Sequence, residues 1–280
     1  MSEVKFAKWQ GLGNDFIIWH PEAMPDTALA GELAKRWCDR HFGIGADGLI
    51  AALPGKPGES QLTMEIFNAD GSVAAMCGNG IRCLAAWAVQ SGLVTGSRLA
   101  ISTRSGLKEI TVSPGRDKAG WEAEVDMGPP SVLEEAQPAT VAGRALPAYI
   151  ISMGNLHRVV LHDVGAEAGT AWLRQLDVPA LGRSLDKSSH GDCNVEFVVP
   201  LGERELSMRV CERGVGETLA CGTGACAVLV AASLHGLCPR EAVIHLAGGD
   251  LAIRWEEHGR VVMRGPASET FRGVLTEPLL

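Results

Sequence analysis

Two short cysteine motifs of the same kind occur in the chain. The first occupies residues 77–80 (Cys-Gly-Asn-Gly) and the second residues 221–224 (Cys-Gly-Thr-Gly). The lead cysteines, Cys77 and Cys221, are 144 residues apart in a chain of 280. Two thiols that reach one carbon from opposite sides can remove a proton on one side and deliver a proton on the other. The repeat therefore predicts two similar halves that each bring one thiol to a shared acid–base site.

Each motif stands directly before an apolar segment that is predicted to be a helix, Ile81–Gln90 and Ala225–Leu234. Each lead cysteine is therefore expected at a helix N-terminus, where unpaired N–H groups and the helix dipole stabilise a thiolate and lower the cysteine pKa. The glycines would let a carboxylate approach the same N–H groups. Those donors would also stabilise the charge that develops when the neighbouring carbon loses its proton.

The other six cysteines have a simpler interpretation. Cys83 and Cys226 fall inside the two apolar helices and are expected to pack there. The remaining four are interpreted as small buried apolar residues: Cys38, Cys193, Cys211 and Cys238. A zinc site is a weaker interpretation, because only the five-residue spacing of Cys221 and Cys226 comes near a zinc-binding pattern. No Gly-Lys-Ser/Thr follows either motif, so a phosphate-binding loop is disfavoured.

The composition is typical of a globular protein, with 46% hydrophobic and 21% charged residues. The net charge of −8 and the lack of long basic runs argue against a nucleic-acid partner. No apolar stretch reaches the length of a membrane span, so no membrane partner is expected. A cytoplasmic protein with free thiols is the expectation.

The elements around the motifs also repeat. Strand-like segments alternate with single helical segments in both halves, which indicates an α/β (α+β) class with mixed sheets. A Gly-Asn pair at residues 13–14 returns at residues 154–155, an offset of 141 that nearly matches the offset of the cysteine motifs. Two landmarks at similar offsets favour an internal duplication into two pseudo-symmetric domains. The linker is predicted near Ser113–Gly120.

The motifs together resemble those of the diaminopimelate epimerase family. The matching segments, in the order of that family, are residues 11–16, 68–72, 76–83, 153–155, 194–197 and 212–224. The resemblance implies a cofactor-independent epimerase that interconverts LL- and meso-diaminopimelate, for lysine and peptidoglycan synthesis. It also implies a homodimer, and a fold in which each domain is a mixed β-sheet around a central helix. The expected domains are residues 1–117 and 118–264, with residues 265–280 packing back on the first and the active site in the cleft between them.

The resemblance assigns roles residue by residue. Cys77 and Cys221 match the catalytic pair, while His157 and Glu212 match residues that tune the pKa of the cysteines. No metal is implied. The groups that match substrate contacts are Asn14, Asn68, Gly78, Asn79, Asn155, Asn194, Glu212, Arg213, Gly222 and Thr223. Phe271 stands where the family places an aromatic side chain at the dimer contact.

Alternative interpretations remain open at this stage. A racemase of another amino acid would share the fold, although Asn194 and Arg213 favour a substrate with a second charged end. A phenazine-type isomerase would also share the fold but lacks the cysteine pair. From a different class, a redox or zinc dithiol protein would use the thiols to bond to each other or to a metal.

Overall fold

A computed structural model describes residues 3–115 and 120–275 of the chain. These residues form two compact units, one drawn from Met1–Val125 with Gly265–Leu280 and the other from Asp126–Arg264. The predicted boundary between residues 117 and 118 lies outside the described residues, as do part of the predicted linker and residues 276–280.

Nineteen strands and five helices lie in the described residues. The strands are β1 (Val4–Gly11), β2 (Asn14–Trp19), β3 (Gly48–Pro54), β4 (Leu62–Asn68), β5 (Val73–Ala74), β6 (Arg98–Thr103), β7 (Gly106–Pro114), β8 (Trp121–Gly128), β9 (Ser131–Val141), β10 (Arg144–Ser152), β11 (Leu156–Leu161), β12 (Lys187–Ser188), β13 (Gly191–Asp192), β14 (Asn194–Gly202), β15 (Glu205–Glu212), β16 (Gly216–Glu217), β17 (Glu241–Leu246), β18 (Gly249–Trp255) and β19 (Val261–Leu275). The helices are α1 (Thr27–Cys38), α2 (Gly78–Gln90), α3 (Ala166–Gln175), α4 (Val178–Leu185) and α5 (Gly222–His235).

The first unit is a mixed sheet. Strand β1 pairs antiparallel with β2 and with the last part of β19, and β2 runs parallel to β3. Strand β4 pairs antiparallel with β3 and β5 and parallel with β6, and antiparallel β7 and β8 follow. The parallel pairs have connections that contain α1 and α2, as parallel strands require.

The second unit repeats this order of pairing. Strand β10 pairs antiparallel with β9 and β11, and β11 runs parallel to β14. Strand β15 pairs antiparallel with β14 and β16 and parallel with β17, and antiparallel β18 and β19 follow. Element by element, α5 takes the place of α2, and α3 with α4 takes the place of α1. The prediction of two pseudo-symmetric mixed sheets is confirmed.

One helix lies at the centre of each unit. Helix α2 contacts β1, β2, β3 and β7, and α5 contacts β10, β11, β14, β17 and β18. Ten of the thirteen residues of α2 and ten of the fourteen of α5 are buried, so no face of either helix is left to solvent. A helix that is apolar on every side must be covered on every side. The sheet that surrounds it supplies this cover.

Both helices begin three residues earlier than the sequence pattern predicted, at Gly78 and Gly222 instead of Ile81 and Ala225. The glycines form the first turn instead of preceding it. They are needed there because the helices pack closely on the sheets. A Cβ at Gly80 would lie 3.1 Å from Ile50 Cδ1, and one at Gly224 would lie 2.6 Å from Glu196 Oε1.

No helix among the described residues is both long enough and apolar enough to cross a bilayer.

The burial of α5 predicts that two of its leucines contribute differently to the stability of the protein. Leu229 is fully buried, whereas Leu234, in the last turn, is 40% exposed. We expect Leu229→Ala to lower the free energy of unfolding by about 2–5 kcal/mol, because it removes core contacts and leaves a cavity. Leu234→Ala is the matched control and should cost about 1 kcal/mol or less. Urea denaturation followed by circular dichroism measures both, and equal losses would contradict the central position of Leu229.

Candidate active site

The first cysteine motif forms the first turn of α2. Cys77 is the N-cap residue, with extended dihedral angles (φ −135°, ψ 121°), and its carbonyl accepts a hydrogen bond from the N–H of Ile81 at 2.9 Å. The N–H groups of the first turn, from Gly78 onward, have no carbonyl partner within the helix and point out of its end. The predicted place of Cys77 at a helix N-terminus is confirmed.

Asn14 lies beside this thiol. Its side-chain oxygen is 3.8 Å from Cys77 Sγ and accepts a hydrogen bond from Asn79 Nδ2 at 3.2 Å. Its Nδ2 donates to Asp47 Oδ2 at 2.8 Å. Because the carboxylate can only accept, it fixes the orientation of the Asn14 amide. The structure thus brings three predicted site residues together, Asn14, Cys77 and Asn79, and adds Asp47, which the sequence analysis did not select.

A cluster of charges holds the loop that carries Asp47. Arg40 Nη2 donates to Asp15 Oδ1 and to Asp47 Oδ1, both at 2.8 Å, and the buried Lys8 lies 2.7 Å from Asp15 Oδ2. Burial alone would raise the pKa of Asp15, but the hydrogen bonds from Arg40 and Lys8 outweigh it and lower the pKa to about 2. Asp15 therefore stays ionised, and the cluster holds Asp47 against Asn14.

Asn68 ends strand β4 and is exposed. Its backbone N–H donates to the carbonyl of Ser72 and its Nδ2 donates to Ser72 Oγ, both at 2.9 Å. Asp70 Oδ1 accepts from the Ser72 hydroxyl at 2.6 Å, which closes the turn. Asn68 is thus held at the end of β4, where it pairs with Gly48 of β3.

The second motif repeats the geometry of the first. Cys221 is the N-cap residue of α5 (φ −126°, ψ 106°), and its carbonyl accepts from the N–H of Ala225 at 2.9 Å. Its Sγ lies 3.6 Å from Thr223 Oγ1, and the Gly224 N–H donates to the same sulfur. Gly222 is buried in the first turn. The predicted place of Cys221 is also confirmed.

The expected lowering of the cysteine pKa is wrong for Cys221. Burial raises the pKa of this thiol well above its usual range, and the carboxylates of Glu212 and Glu196 raise it further. Hydrogen bonds from Thr223 and Gly224 lower it, but by less. The helix N-terminus favours the thiolate as expected, but complete burial and two nearby carboxylates outweigh it.

Glu212 is the carboxylate with the larger effect on the pKa of Cys221. It accepts a hydrogen bond from Thr218 Oγ1 at 2.5 Å and another from the Cys221 thiol. Burial raises the pKa of Glu212; the Thr218 bond opposes this, and the charge of Glu196 adds to it. A carboxylate with a raised pKa in hydrogen-bond contact with a thiol can take the proton of that thiol and return it.

His157 is fully buried beside these groups. Its Nδ1 lies 2.6 Å from Glu196 Oε1, and its Nε2 lies 3.1 Å from the Asn155 side-chain oxygen. On the paired strands β11 and β14, His157 stands opposite Asn194, and Glu196 follows two residues along on the same face. Glu196 was missed by the sequence analysis, although a single charge within the apolar run Asn194–Val199 was a signal for it.

Asn194 and Arg213 are also brought together. The buried Asn194 side-chain oxygen accepts a hydrogen bond from the backbone N–H of Arg213 at 2.8 Å. This bond holds the turn after β15, in which Arg213 is exposed, against the start of β14. Asn155, which precedes β11, is exposed as well. The second unit therefore gathers His157, Asn155, Asn194 and Arg213 with Cys221 at one end of its parallel strands.

Three donor atoms in this group could suit a metal ion. Atoms of His157, Glu196 and Cys221 lie within 4.8 Å of one another, and all three residues are buried. The contact of 2.6 Å between His157 Nδ1 and Glu196 Oε1 is a hydrogen-bond distance. Two ligands of one tetrahedral ion, each about 2 Å from it, would lie roughly 3.3 Å apart. As placed, the cluster is a hydrogen-bonded pair next to a thiol.

The six other cysteines are buried, as predicted. Burial raises the pKa of Cys83 to about 12, and that of Cys38 also to about 12. Phe271, in β19, packs edge-on against Phe6 with ring centroids 6.0 Å apart, yet 44% of it is exposed. It lies on the surface of the first unit, where Val274 is 46% exposed.

Solved structures identify the class of fold. A phenazine biosynthesis protein of the PhzF family from Bacillus anthracis matches with a TM-score of 0.74 at 12% identity, over 99% of this chain and 100% of the other. A hydroxyproline epimerase from Agrobacterium vitis, solved with bound trans-4-hydroxy-L-proline, matches with a TM-score of 0.70 at 13% identity, over 100% and 94%. The chain therefore has the fold of these two proteins.

Sequence relatives identify the family. The sequence model of the diaminopimelate epimerase family matches residues 6–133 and 149–270. Diaminopimelate epimerases from Microcystis aeruginosa and Moorella thermoacetica are 42% and 43% identical to the chain. The matches cover 97% and 96% of this chain and 99% and 98% of the relatives. The chain belongs to the diaminopimelate epimerase family, and it is an isomerase of the epimerase class.

The contact between Glu212 and Cys221 gives a testable titration. We expect Glu212→Gln to lower the pKa of the Cys221 thiol, because the neutral amide no longer disfavours a nearby thiolate. Thiolate absorbance in the ultraviolet, taken as the difference between Glu212→Gln proteins with and without Cys221→Ala, isolates this thiol. Glu205→Gln, at the other end of β15 and 60% exposed, is the matched control. If Cys221 has the same pKa in the Glu212 variant and in the control, the Glu212 carboxylate does not raise the pKa of this thiol.

Proposed function

We propose that this chain interconverts LL-2,6-diaminopimelate and meso-2,6-diaminopimelate without a cofactor, with Cys77 and Cys221 as acid and base. The observation that carries the proposal is that both cysteines are N-cap residues of equivalent buried helices in a duplicated fold. Membership of the diaminopimelate epimerase family supports the choice of substrate.

The proposed step moves one proton at each face of one carbon. The thiolate of one cysteine takes the proton from the carbon next to the substrate carboxylate, and the electron pair of that bond delocalises into the carboxylate. The thiol of the other cysteine gives its proton to the opposite face. One C–H bond breaks and one forms, the thiol and thiolate exchange roles, and no oxidant is needed.

The surroundings of Cys221 support its starting role. The raised pKa keeps Cys221 protonated in the free enzyme, so it is the acid when Cys77 is the base. The reverse reaction begins from the form that the forward step leaves, with Cys221 as the thiolate that takes a proton and Cys77 as the thiol that gives one. The carboxylate of Glu212 disfavours the Cys221 thiolate and so favours its return to the thiol. His157 and Glu212 are thus proposed to set the proton balance at this cysteine.

The remaining predicted residues are proposed as substrate contacts. The N–H groups of the first helical turns, at Gly78, Asn79, Gly222 and Thr223, suit a carboxylate at the reacting centre. The exposed guanidinium of Arg213 suits the second carboxylate, and side-chain amides suit the ammonium and carboxylate groups of both ends. The amides are those of Asn14, Asn68, Asn155 and Asn194.

The proposed reaction supplies a precursor of lysine and peptidoglycan in the cytoplasm, and we propose that the enzyme is a homodimer. The partially exposed pair of Phe271 and Val274 supports the dimer, because large apolar side chains on one strand suit a surface that a second copy covers.

The proton-transfer proposal predicts the effect of removing either thiol. Cys77→Ala and Cys221→Ala should each lower kcat by at least about 10²–10⁴-fold, the usual contribution of a positioned acid or base. Epimerisation of LL-diaminopimelate in deuterium oxide, followed by mass and stereochemical analysis, measures this. Cys83→Ala and Cys226→Ala, in the same two helices, are matched controls and should keep near-normal turnover. Near-normal turnover in either lead-cysteine variant rules out two-base catalysis. If the parent enzyme turns over proline-type amino acids and not diaminopimelate, it is a racemase of another amino acid.

The dimer proposal predicts the effect of a charge at the Phe271 surface. Phe271→Glu should convert a dimer to a monomer in light scattering after gel filtration, because a charge replaces apolar contact area. Phe42→Glu, at a side chain that is 94% exposed in the same unit, is the control and should leave the dimer intact. A monomeric parent protein, or a Phe271 variant that stays dimeric, rejects this interface.

A further inference from the structure

Glu196 is a buried carboxylate that the reaction proposed above uses only as a charge near Cys221. It is 0% exposed, and only one of its two oxygens, Oε1, has a hydrogen-bond partner among the described residues. A buried carboxylate costs free energy unless it is paired. Its one partner is His157 Nδ1, so the interaction that retains Glu196 is with His157.

The duplicated fold shows that a carboxylate is not needed at this place for packing. His157 pairs with Asn194 on the next strand as Phe16 pairs with Gly48 in the first unit. Two residues along, Glu196 corresponds to Ile50. Each lies against the second glycine of a cysteine motif: a Cβ at Gly224 would meet Glu196, and one at Gly80 would meet Ile50. An apolar side chain therefore fills the same position in the other half.

The two ring nitrogens of His157 have different partners. Both ring nitrogens face oxygen atoms, Glu196 Oε1 at 2.6 Å and Asn155 Oδ1 at 3.1 Å. An imidazole that donates from both nitrogens is the imidazolium ion. The contact of 2.6 Å is short for an N–H···O hydrogen bond, as expected for a bond to a carboxylate. Glu196 is the carboxylate that faces this ring, and other titratable groups near the pair include the carboxylate of Glu212 and the neutral thiol of Cys221.

A proton on Nε2 of His157 suits the orientation of the Asn155 amide, whose oxygen faces that nitrogen. Because its oxygen accepts from His157, the Asn155 amide presents its NH₂ group as the group left to bind a ligand. Asn14, at the equivalent place in the first unit, is held by Asp47 through its NH₂ group and presents its oxygen. The two equivalent asparagines are thus set in opposite senses, one as a donor and one as an acceptor.

We propose that Glu196 is a positioning residue of the epimerase site: it keeps His157 protonated on both ring nitrogens, and His157 thereby holds Asn155 as a hydrogen-bond donor to a substrate carboxylate. This inference rests on the proposed function for its substrate, but the protonation of His157 is a property of the free protein. No covalent step involves Glu196, and it does not touch the reacting atoms.

Two substitutions test the proposal. Glu196→Gln keeps the shape but removes the charge, and Glu196→Ile installs the side chain that the other half has at this position. Glu65→Gln is the matched control, because Glu65 is also a strand carboxylate in an ion pair, with Arg104 at 2.7 Å. Circular dichroism and the unfolding midpoint show whether each variant folds, and Glu196→Gln remains informative where Glu196→Ile does not fold.

The first readout is nuclear magnetic resonance of ¹⁵N-labelled histidine near neutral pH, with the His157 signal assigned by its loss in His157→Gln. In the parent protein and in Glu65→Gln we expect both ring nitrogens of His157 to be protonated, and in the Glu196 variants only one. A parent His157 with one bare nitrogen, or a doubly protonated His157 in Glu196→Gln, overturns the proposal.

The second readout is the split between KM and kcat for diaminopimelate. We expect the KM of the Glu196 variants to rise by about tenfold or more, the size of one hydrogen bond to a charged group, with a smaller change in kcat. An unchanged KM in a folded variant overturns the link to Asn155. If the parent protein does not epimerise diaminopimelate, the proposed function fails, and the resonance experiment still decides whether Glu196 sets the protonation of His157.

Discussion

The complete burial of one helix in each unit is the constraint on which the rest of the structure depends. Ten residues of each of the helices α2 and α5 are buried, including the polar Asn79 and Arg82 of α2, so each helix must be surrounded by sheet. Close packing on the sheet leaves little room for a side chain at Gly80 and still less at Gly224. The same glycines leave the backbone N–H groups of the first turn open to a ligand. The demands of packing and of anion binding therefore select the same residue type.

The N-cap position of each cysteine follows from this arrangement. At an N-cap the backbone is extended and leaves the helix, so the side chain lies beside the first-turn N–H groups without blocking them. A serine or aspartate there would use its side chain to cap the helix. Cysteine is only a weak hydrogen-bond acceptor, so a thiol at the N-cap competes less with a ligand for the first-turn donors.

The sequence could predict what depends on local pattern. The apolar periodicity and the repeated motifs were sufficient for the two central helices, the mixed sheets and the place of both cysteines. What it could not predict depends on partners far apart in the chain: Asp47 acts on Asn14 from 33 residues away, and Glu196 on His157 from 39. The pKa of Cys221 was expected in the wrong direction for the same reason, since the carboxylates near it are supplied by β14 and β15.

The two halves have the same geometry but different charges, and this difference has a chemical consequence. Strand registers place Glu212 in the second unit where Asn68 lies in the first, and His157 where Phe16 lies. The proposed reaction, in which one cysteine takes a proton from a carbon and the other gives one to it, requires that one begins as a thiolate and the other as a thiol. Identical surroundings would give both cysteines the same protonation preference. The duplicated fold places both thiols at the same position on their helices. The carboxylates of Glu212 and Glu196 belong to the second unit, and they raise the pKa of Cys221. The two cysteines therefore have equivalent positions in the fold but different electrostatic surroundings.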